Sequence, residues 1–459
     1  MDASLSFDLV KAAETLLENA KKLAATAGAP TAKANRGNGA APKPPGLHPG
    51  GFKDADKIRM SVVKMAKKIA FEVASPADVA KTDWVTAADI AAWNIFMQWK
   101  AFDKIPADGS SISYAELAKA IDAQESLVAR IGGFLVSVGK LCEESPGSGR
   151  IRHSRVSPLY RSDHPFAPLA TVAVGNGLKA YVHWPEYFER YGRREPRGQT
   201  HTPFGFAWGH PELPPWEVKA LYPEYAVQFT KAMKSRQIVG GNMEVAGPGA
   251  LYDMAWLGDE ANAQRADDGS LVVDVGGGLG QLLRDVVSAI PAIHPDQCVL
   301  QDRKEVVEEA LAVGDAFIRG VKLMDHDFHT KQPVKGALVY LLRRILLDYS
   351  DELATGILRQ LADALPADNP KARVIIMEER LLDTPVPQNR VVDLVMLNLG
   401  GKLRNESMFA DISRRAGLRV VKFHARDGDP TCVVECARSE EGRGGIGGVR
   451  ACPTAESGN

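Results

Sequence analysis

The sequence predicts an α/β protein, with an open and largely parallel β-sheet in the C-terminal half and a mostly helical region before it. Three observations predict this class. An apolar run, Leu271–Val275, leads directly into the glycines at 276–278 and 280. Candidate strands and amphipathic helices alternate after that point, as in a parallel sheet covered by helices. The first third of the chain instead carries apolar residues at helical spacing.

Composition restricts the possible classes of function. The chain has 459 residues, enough for two or three domains, and its 45% hydrophobic and 25% charged residues are typical of soluble globular proteins. A net charge of -1 gives no excess of positive charge that would attract nucleic acid or an anionic membrane. Five cysteines without metal-ligand spacing, and no secretory signal, indicate the cytosol and no metal site. No apolar run is long enough to span a bilayer, so no membrane association is predicted.

The chain begins with a predicted helix and a linker. Residues 5–25 carry apolar side chains at helical spacing. Residues 28–51 are rich in Ala, Pro and Gly and cannot bury enough apolar surface to fold, so they are predicted to be disordered. Helical spacing resumes at residues 52–73 and 87–102.

Residues 113–153 resemble a helix-turn-helix. Ser113 and Glu116 have capping-box spacing at the start of its first helix, and a second helix and a wing strand are predicted after it. A DNA-binding module is one interpretation. The second helix is apolar nearly all round, however, and offers only Arg130 and Lys140 to phosphates, which favours a dimerisation unit.

From residue 271 onward the chain alternates between strands and helices. Segments between the apolar runs, such as 351–364, have helical spacing. The last two strands are predicted to be an antiparallel pair in which Cys432 and Cys436 pack in the core. The predicted strands are 271–275, 298–302, 321–328, 336–345, 373–382, 418–425 and 431–437.

The glycine turn is the clearest sign of a ligand site. Gly276, Gly278 and Gly280 follow a buried strand, where glycine permits backbone angles and close approaches that a side chain would block. The helix predicted at 281–290 presents its first amides to an anionic or polar ligand group. Asp302 ends the next strand, where a carboxylate can accept both ribose hydroxyls of a nucleoside; the alternative is a helix N-cap.

Five blocks of sequence, taken in order, resemble a known family. They are 273–280, 300–302, 325–328, 340–352 and 400–402. Together they resemble the class I S-adenosylmethionine-dependent O-methyltransferases of the caffeic-acid type, and in particular their fungal secondary-metabolism branch. The resemblance implies a Rossmann-like methyltransferase sheet, an N-terminal winged-helix dimerisation domain and an intertwined homodimer. It also implies S-adenosylmethionine or S-adenosylhomocysteine as the cofactor, and a small polyketide-type molecule as the substrate.

The resemblance assigns domains and a cofactor site. The predicted domains are 1–51 (helix and disordered linker), 52–175 (winged-helix-like dimerisation domain), 176–437 (methyltransferase-like catalytic domain) and 438–459 (disordered tail). The glycines would approach the methionine moiety, Asp302 the ribose, and Asp327 with Phe328 the adenine. Tyr349 stands where the family has a Trp that flanks the adenine ring. The implied cofactor-binding residues are Asp274, Gly276, Gly278, Gly280, Asp302, Asp327, Phe328 and Tyr349.

The chain departs from the family at the catalytic base. Leu347 stands where the family has the His that takes a proton from the acceptor hydroxyl, and Leu403 stands where the plant enzymes have the Glu that orients it. Only a carboxylate after the fifth strand, assigned by position to Glu379, remains. A leucine cannot accept a proton, and general-base catalysis requires a titratable group within hydrogen-bond reach.

The first hypothesis is therefore a pericyclase that binds the cofactor but transfers no methyl group, as in some members of the fungal branch. A pericyclic reaction, such as a Diels-Alder, hetero-Diels-Alder or Alder-ene cyclisation of a pyridone-derived intermediate, needs no proton acceptor. The predicted catalytic residues are His183 as a hydrogen-bond donor to a carbonyl, with Arg344 and Asp348 beside the lost base. His183 is alternatively a packed structural residue beside Trp184, and Arg344 a salt-bridged one.

Two other hypotheses stay open. One is a working O-methyltransferase of a phenolic or enolic metabolite that recruits another base, such as His183, His153 or Glu379. The other is a cofactor-sensing regulatory protein. In either enzyme the pocket wall should be aromatic or apolar, which suits a large apolar ligand, unless these side chains are ordinary core. The predicted pocket residues are Phe204, Phe206, Trp208, Leu347, Met396 and Leu403.

Overall fold

A computed structural model describes residues 8–28, 54–239, 245–247, 249–261, 269–313 and 315–439. The chain divides into two compact units. One comprises Met1–Val174 and Glu224–Asn242, and the other Gly175–Pro223 and Met243–Asn459. Most of the predicted linker and tail, residues 29–51 and 440–459, lies outside the described residues.

The described residues up to Val172 are mostly helical, as predicted. The helix expected at 87–102 begins earlier, at Pro76, because the Ser75 side chain caps it, and it ends before Lys100, whose φ is 53°. The helices are α1 Leu9–Gly28, α2 Asp54–Val73, α3 Pro76–Gln98, α4 Ala101–Lys104, α5 Tyr114–Ala120, α6 Glu125–Ser137 and α7 Ala167–Val172, and the strands are β1 Ile112–Ser113, β2 Leu141–Glu143 and β3 Arg150–His153.

The predicted capping box and helix pair are confirmed. Ser113 Oγ accepts a hydrogen bond from the Glu116 amide at 3.1 Å, and the Glu116 carboxylate accepts one from the Ser113 amide at 2.8 Å. α5 and α6 pack with an antiparallel sheet of order β1-β3-β2, whose central strand is the predicted wing strand. The core of this unit includes Phe96, Phe102 and Leu135. Its winged-helix character and its role in dimerisation stay predictions.

The middle of the chain forms short helices that had no predicted bounds. A π-helical turn spans Ala173–Leu178. The helices that follow are α8 Lys179–Val182, α9 Trp184–Tyr191, α10 Pro203–Ala207, α11 Pro215–Ala220, α12 Pro223–Val239 and α13 Trp256–Asp259.

The second unit is built on the predicted alternating strands and helices. Three of its strands are shorter than predicted, because the chain turns into loops at their carboxyl ends; Arg344, for example, has a φ of 55°. The strands are β4 Val272–Val275, β5 Cys298–Asp302, β6 Lys322–Asp325, β7 Val339–Arg343, β8 Arg373–Glu379, β9 Leu418–Ala425 and β10 Thr431–Arg438, and the helices are α14 Gln281–Ala289, α15 Lys304–Val313, α16 Ala316–Gly320, α17 Asp351–Ala362, α18 Pro387–Leu399 and α19 Glu406–Arg415.

These strands form one seven-stranded mixed sheet of order β6-β5-β4-β7-β8-β10-β9, in which β10 is antiparallel to both of its neighbours. This is the predicted Rossmann-like methyltransferase sheet. Successive strands run outward from β4 in one direction and then, from β7, in the other, so the carboxyl ends of β4 and β7 flank a topological switch point. Ligands of open α/β sheets bind at such a crevice.

The remaining sequence predictions concern burial. Cys432 and Cys436 are buried in β10, as expected of core residues. Among the described residues, no helix is long and apolar enough to cross a bilayer. The cytosolic location stays a prediction.

Candidate cofactor and acceptor site

The turn after β4 requires glycine. Gly276, Gly278 and Gly280 have φ angles of 70°, 59° and 76°, which other residues rarely adopt. A Cβ atom on Gly276 would lie 2.6 Å from Ile345 Cδ1, whereas one on Gly278 would meet no atom within 4 Å. The turn is therefore covered at Gly276 and uncovered at Gly278. A ligand can approach the backbone closely at the uncovered position.

Asp274 lies buried beneath this turn. It is 1% exposed, and neither carboxylate oxygen has a hydrogen-bond partner among the described residues. Burial raises its pKa to about 7, the Arg343 guanidinium opposes this rise, and the Asp302 carboxylate adds to it. A buried carboxylate without a partner is costly, and a cationic donor from a ligand would satisfy it.

Asp302 is tied to the glycine turn rather than to the following helix. One of its carboxylate oxygens accepts a hydrogen bond from the Gly278 amide at 2.9 Å, and the other accepts one from the Arg303 amide at 2.8 Å. None of its described bonds reaches the first turn of α15, so the geometry does not favour an N-cap. Asp302 and Asp274 thus flank the turn on two sides.

Aromatic rings line the next part of the crevice. The ring of Phe328 lies 5.8 Å from that of Tyr349, and each also packs on His329. Trp216 of α11 packs on Tyr349 at 6.2 Å. Sequence reasoning missed Trp216 and His329; an aromatic residue on a short helix carries no pattern that marks it. Asp327 is exposed and caps the turn by accepting a bond from the His329 amide.

The segment after β7 carries Leu347, Asp348 and Tyr349, and two buried charged residues hold it in place. The Glu378 carboxylate accepts hydrogen bonds from the Ile345 amide at 2.9 Å and the Leu346 amide at 2.7 Å. Burial raises its pKa to about 8. The sequence singled out its neighbour Glu379, but it is Glu378 that meets the segment, because adjacent residues of a strand face opposite sides.

Arg404 holds the same segment from the other side. Its guanidinium donates to the Leu346 carbonyl at 2.7 Å and to the Tyr349 carbonyl at 2.8 Å. It also donates to the Asp351 carboxylate at 2.9 Å, and the residue is only 1% exposed. No sequence signal marked Arg404, since a lone arginine in a loop is normally a surface residue.

The segments that carry Leu347 and Leu403 are adjacent. The Lys402 amide donates a hydrogen bond to the Leu347 carbonyl at 3.0 Å, which brings the two leucines' backbones together. Both side chains are buried. Gly401 must be glycine, because a Cβ there would overlap the Leu347 carbonyl. Position 347 therefore carries a buried hydrocarbon side chain with no titratable group, and Asp348 is exposed beside it.

His183 is not joined to the other two predicted catalytic residues by any described contact. Its ring lies edge-on to Phe206 at 6.3 Å, at the start of α9. Arg344 occupies the left-handed backbone region and donates its amide to the Met377 carbonyl at 2.9 Å. The structure therefore brings Leu347, Asp348 and Leu403 together, and places His183 with an aromatic group.

Of the predicted pocket residues at positions 204–208, Phe204 is buried, whereas Phe206 and Trp208 are half-buried. Phe204 is fully buried against Trp208, and Lys179 lies over the Trp208 ring at 3.6 Å. Met396 is buried in α18. An open groove of about 480 Å³ lies nearby instead, and none of the predicted pocket residues lines it. Its lining residues are Phe188, Arg193, Arg194, Glu195 and Leu397.

A family model described as an O-methyltransferase domain matches residues 261–419. The methyltransferase cfoD of Aspergillus candidus is 39% identical over 391 residues, which cover 84% of this chain and 94% of that protein. The chain belongs to this O-methyltransferase family. Methyltransferase domains of the family bind S-adenosylmethionine, in agreement with the predicted cofactor.

Solved structures show the same fold. OxaC, in a complex with sinefungin and meleagrin, matches with a TM-score of 0.75 at 18% identity, over 95% of this chain and 100% of OxaC. A protein described as a pericyclic reaction enzyme matches with a TM-score of 0.67 at 20% identity, over 83% of this chain and 94% of that protein. The chain is thus an enzyme with an O-methyltransferase scaffold.

Proposed function

We propose that this chain is an S-adenosylmethionine-dependent methyltransferase of fungal secondary metabolism that acts on an acidic enol or phenol. The observation that carries the proposal is the buried, unpartnered carboxylate of Asp274 beneath the glycine turn. Such a carboxylate fits the ammonium group of a methionine moiety. The relation to cfoD, which is named a methyltransferase, supports methyl transfer as the activity.

Different residues around the crevice would bind different parts of the cofactor. Asp274 would hold the amino group of the methionine moiety, and the backbone at Gly276–Gly280 would approach that moiety closely. Asp302 would hold the ribose hydroxyls. Phe328 and Tyr349 would enclose the adenine. When bound, the cofactor supplies an electrophilic methyl group on a positively charged sulfur.

The hydrocarbon surface at 347 determines which acceptors react. A positioned base contributes about 10²–10⁴-fold, and Leu347 supplies none of it. An acceptor that is itself acidic ionises without a histidine, so orientation in an apolar, water-excluding site is sufficient. Leu347 and Leu403 supply that apolar wall, and Glu378 with Arg404 keeps it in position.

A second candidate function is the pericyclase without methyl transfer, which the paired leucines at 347 and 403 favour, because a cyclisation needs no proton acceptor. In that case His183, Arg344 and Asp348 would act as the polar groups that polarise a substrate carbonyl. The fold likeness to a pericyclic reaction enzyme is compatible with this candidate, but at 20% identity it supports only the scaffold.

The two candidates give different products. Purified protein is incubated with S-adenosylmethionine carrying a ¹³CD₃ methyl group and, separately, with an acylated 4-hydroxy-2-pyridone, an acidic acylphenol or a polyene-bearing pyridone. We expect a labelled methyl ether together with S-adenosylhomocysteine. Cyclised product of unchanged mass without S-adenosylhomocysteine would overturn methyl transfer and establish the second candidate. Cofactor binding without turnover of any of these compounds would contradict both candidates and leave the sensor hypothesis.

We also propose that the first unit mediates a homodimer. The helices α1–α3 leave large apolar side chains in solvent, including Phe71, which is 65% exposed, and Trp84, which is 79% exposed. Side chains of this size are normally covered, and a second copy of the chain is the proposed cover. Light scattering should give twice the chain mass, and Trp84→Glu should reduce it, whereas Lys81→Glu on the same helix should not. A monomeric wild-type protein would contradict this.

A further inference from the structure

The open groove beside α9 has a cationic end. The helix ends at Gly192, whose φ is 85°, and the chain turns there, with the Arg194 amide donating to the Gly192 carbonyl at 2.9 Å. Arg193 and Arg194 line the groove just after this turn, and neither guanidinium forms an ion pair with a described residue. Glu195 lines the same groove, but Lys402 pairs with its carboxylate at 2.6 Å. The groove therefore carries an excess of positive charge.

The remainder of the groove is apolar and aromatic. Phe188 of α9 and Leu397 of α18 line it, and its volume of about 480 Å³ is typical of a small-molecule site. A second groove of about 650 Å³ adjoins it, since Phe188 and Arg193 line both, and it continues along Trp184. The Trp184 indole N–H donates to the Asn398 side-chain oxygen at 2.7 Å, which ties α9 to α18. The two grooves together can hold an anionic head and an extended apolar body.

A single lysine joins the groove to position 347. The Lys402 ammonium holds Glu195 at the groove, and the Lys402 amide donates to the Leu347 carbonyl at 3.0 Å. The helix α18, which forms one wall of the groove, also packs on the turn that contains Leu347. The other acids nearby are Asp351, which Lys402 also contacts at 3.5 Å, and Glu189, which lines only the second groove. The cationic end of the groove is therefore the end that adjoins position 347.

We propose that this groove binds the acceptor as its anion, an acyl enolate or acylphenolate with an extended apolar body, and that Arg193 and Arg194 determine this specificity. The inference rests on the proposed function, because it assigns the acceptor site of that reaction. A guanidinium presents two parallel N–H donors, which match two neighbouring oxygens of such an anion. Nearby cations also lower the pKa of a bound enol or phenol. The acceptor thus ionises without a base at position 347.

The first test measures binding without turnover. The acylated 4-hydroxy-2-pyridone and its O-methyl ether, which cannot ionise, are titrated calorimetrically into protein saturated with S-adenosylhomocysteine. The wild type should bind the pyridone anion about tenfold more tightly than the ether, because two exposed arginines attract only the anion. The double variant Arg193→Gln/Arg194→Gln should bind both probes alike. Added salt should reduce the preference of the wild type, since it screens exposed charges.

Two further variants separate charge from shape. Arg190→Gln is the matched control, because Arg190 lies on the same helix, stacks on Tyr191 at 5.4 Å and is not among the residues that line either groove. It should keep the wild-type preference. Phe188→Ala should weaken both probes alike, because it removes apolar surface but no charge. Equal affinity of the wild type for the two probes, no binding of either, or a preference that survives the loss of both arginines would overturn the proposal.

The second test uses catalysis with the same pyridone. Arg193→Gln/Arg194→Gln should raise KM about tenfold. It should also move the acid limb of the kcat profile to higher pH, because the bound acceptor ionises less readily. Arg190→Gln should keep the wild-type KM and profile. An unchanged KM and profile in the double variant would refute the role of the two arginines. A wild type that prefers the anion in the binding test but forms no methyl ether would support this site and refute the proposed methyl transfer.

Discussion

Arg404 should stabilise the second unit more than any surface arginine does. Arg404→Met keeps the apolar stem but removes three hydrogen bonds, one of which is also the ion pair with Asp351, from a residue that is 1% exposed. The carbonyls of Leu346 and Tyr349 would lose a donor, at a cost of about 1–3 kcal/mol each. Asp351 keeps a second cation, since Lys402 lies 3.5 Å from its carboxylate.

The expected loss is therefore about 3–5 kcal/mol, the usual cost of breaking a buried pair. For a unit of this size it corresponds to a decrease in Tm of about 6–20 °C. Differential scanning calorimetry measures it directly. Arg414→Met is the matched control: the Arg414 side chain is 75% exposed and pairs with Asp411, so the Tm of this variant should change by less than about 1 °C. An Arg404→Met protein with the same Tm as the wild type would refute the role assigned to this side chain.

Three further predictions concern the same crevice. Burial raises the pKa of Glu378 from 4.5 to about 8, so its contribution to stability is greatest below pH 4.5 and is lost as the pH rises to 8. In urea titrations at different pH, Glu378→Gln should remove this decline in the free energy of unfolding. An unchanged pH dependence in Glu378→Gln would contradict the prediction. Gly276→Ala forces a Cβ against Ile345 at a positive φ, so calorimetric titration should show S-adenosylhomocysteine binding weakened at least about tenfold, and unchanged affinity would contradict the close-approach argument. Leu347→His should accelerate methylation of weakly acidic phenols more than of acidic enols, and equal effects would argue against acceptor acidity as the compensating factor.

The sequence predicted the elements that repeat a simple pattern. The apolar runs and helical spacing predicted the strands of the second unit and most helices of the first, because burial imposes a period on the sequence. The glycine turn and Asp302 were found for a related reason, since positive φ and strand ends leave recognisable residues. The carboxyl ends of β6, β7 and β8 were placed too far along the chain, because apolar residues such as Phe328, Ile345 and Leu382 follow shortly after each strand.

The side chains that hold the site in place could not be predicted from the sequence. Arg404 comes from a loop, and only the fold brings it to the segment that follows β7. Which of Glu378 and Glu379 faces the segment after β7 depends on the register of β8. A shift of one residue in the assigned register exchanges the two faces of the strand. His183 was selected because it falls where helices of the resembling family line the acceptor pocket, and its described ring contact is with Phe206.

Equilibrium binding of S-adenosylhomocysteine to the wild type and to Asp274→Asn tests the central claim most directly. The claim is that the unpartnered Asp274 carboxylate holds the cofactor beside a wall that carries no histidine. Calorimetric titration should give one site per chain for the wild type and a roughly tenfold to hundredfold weaker site for Asp274→Asn, since a charged hydrogen bond is lost. Asp411→Asn, an exposed control, should bind like the wild type. Absence of binding to the wild type, or equal affinity of Asp274→Asn, would contradict the account.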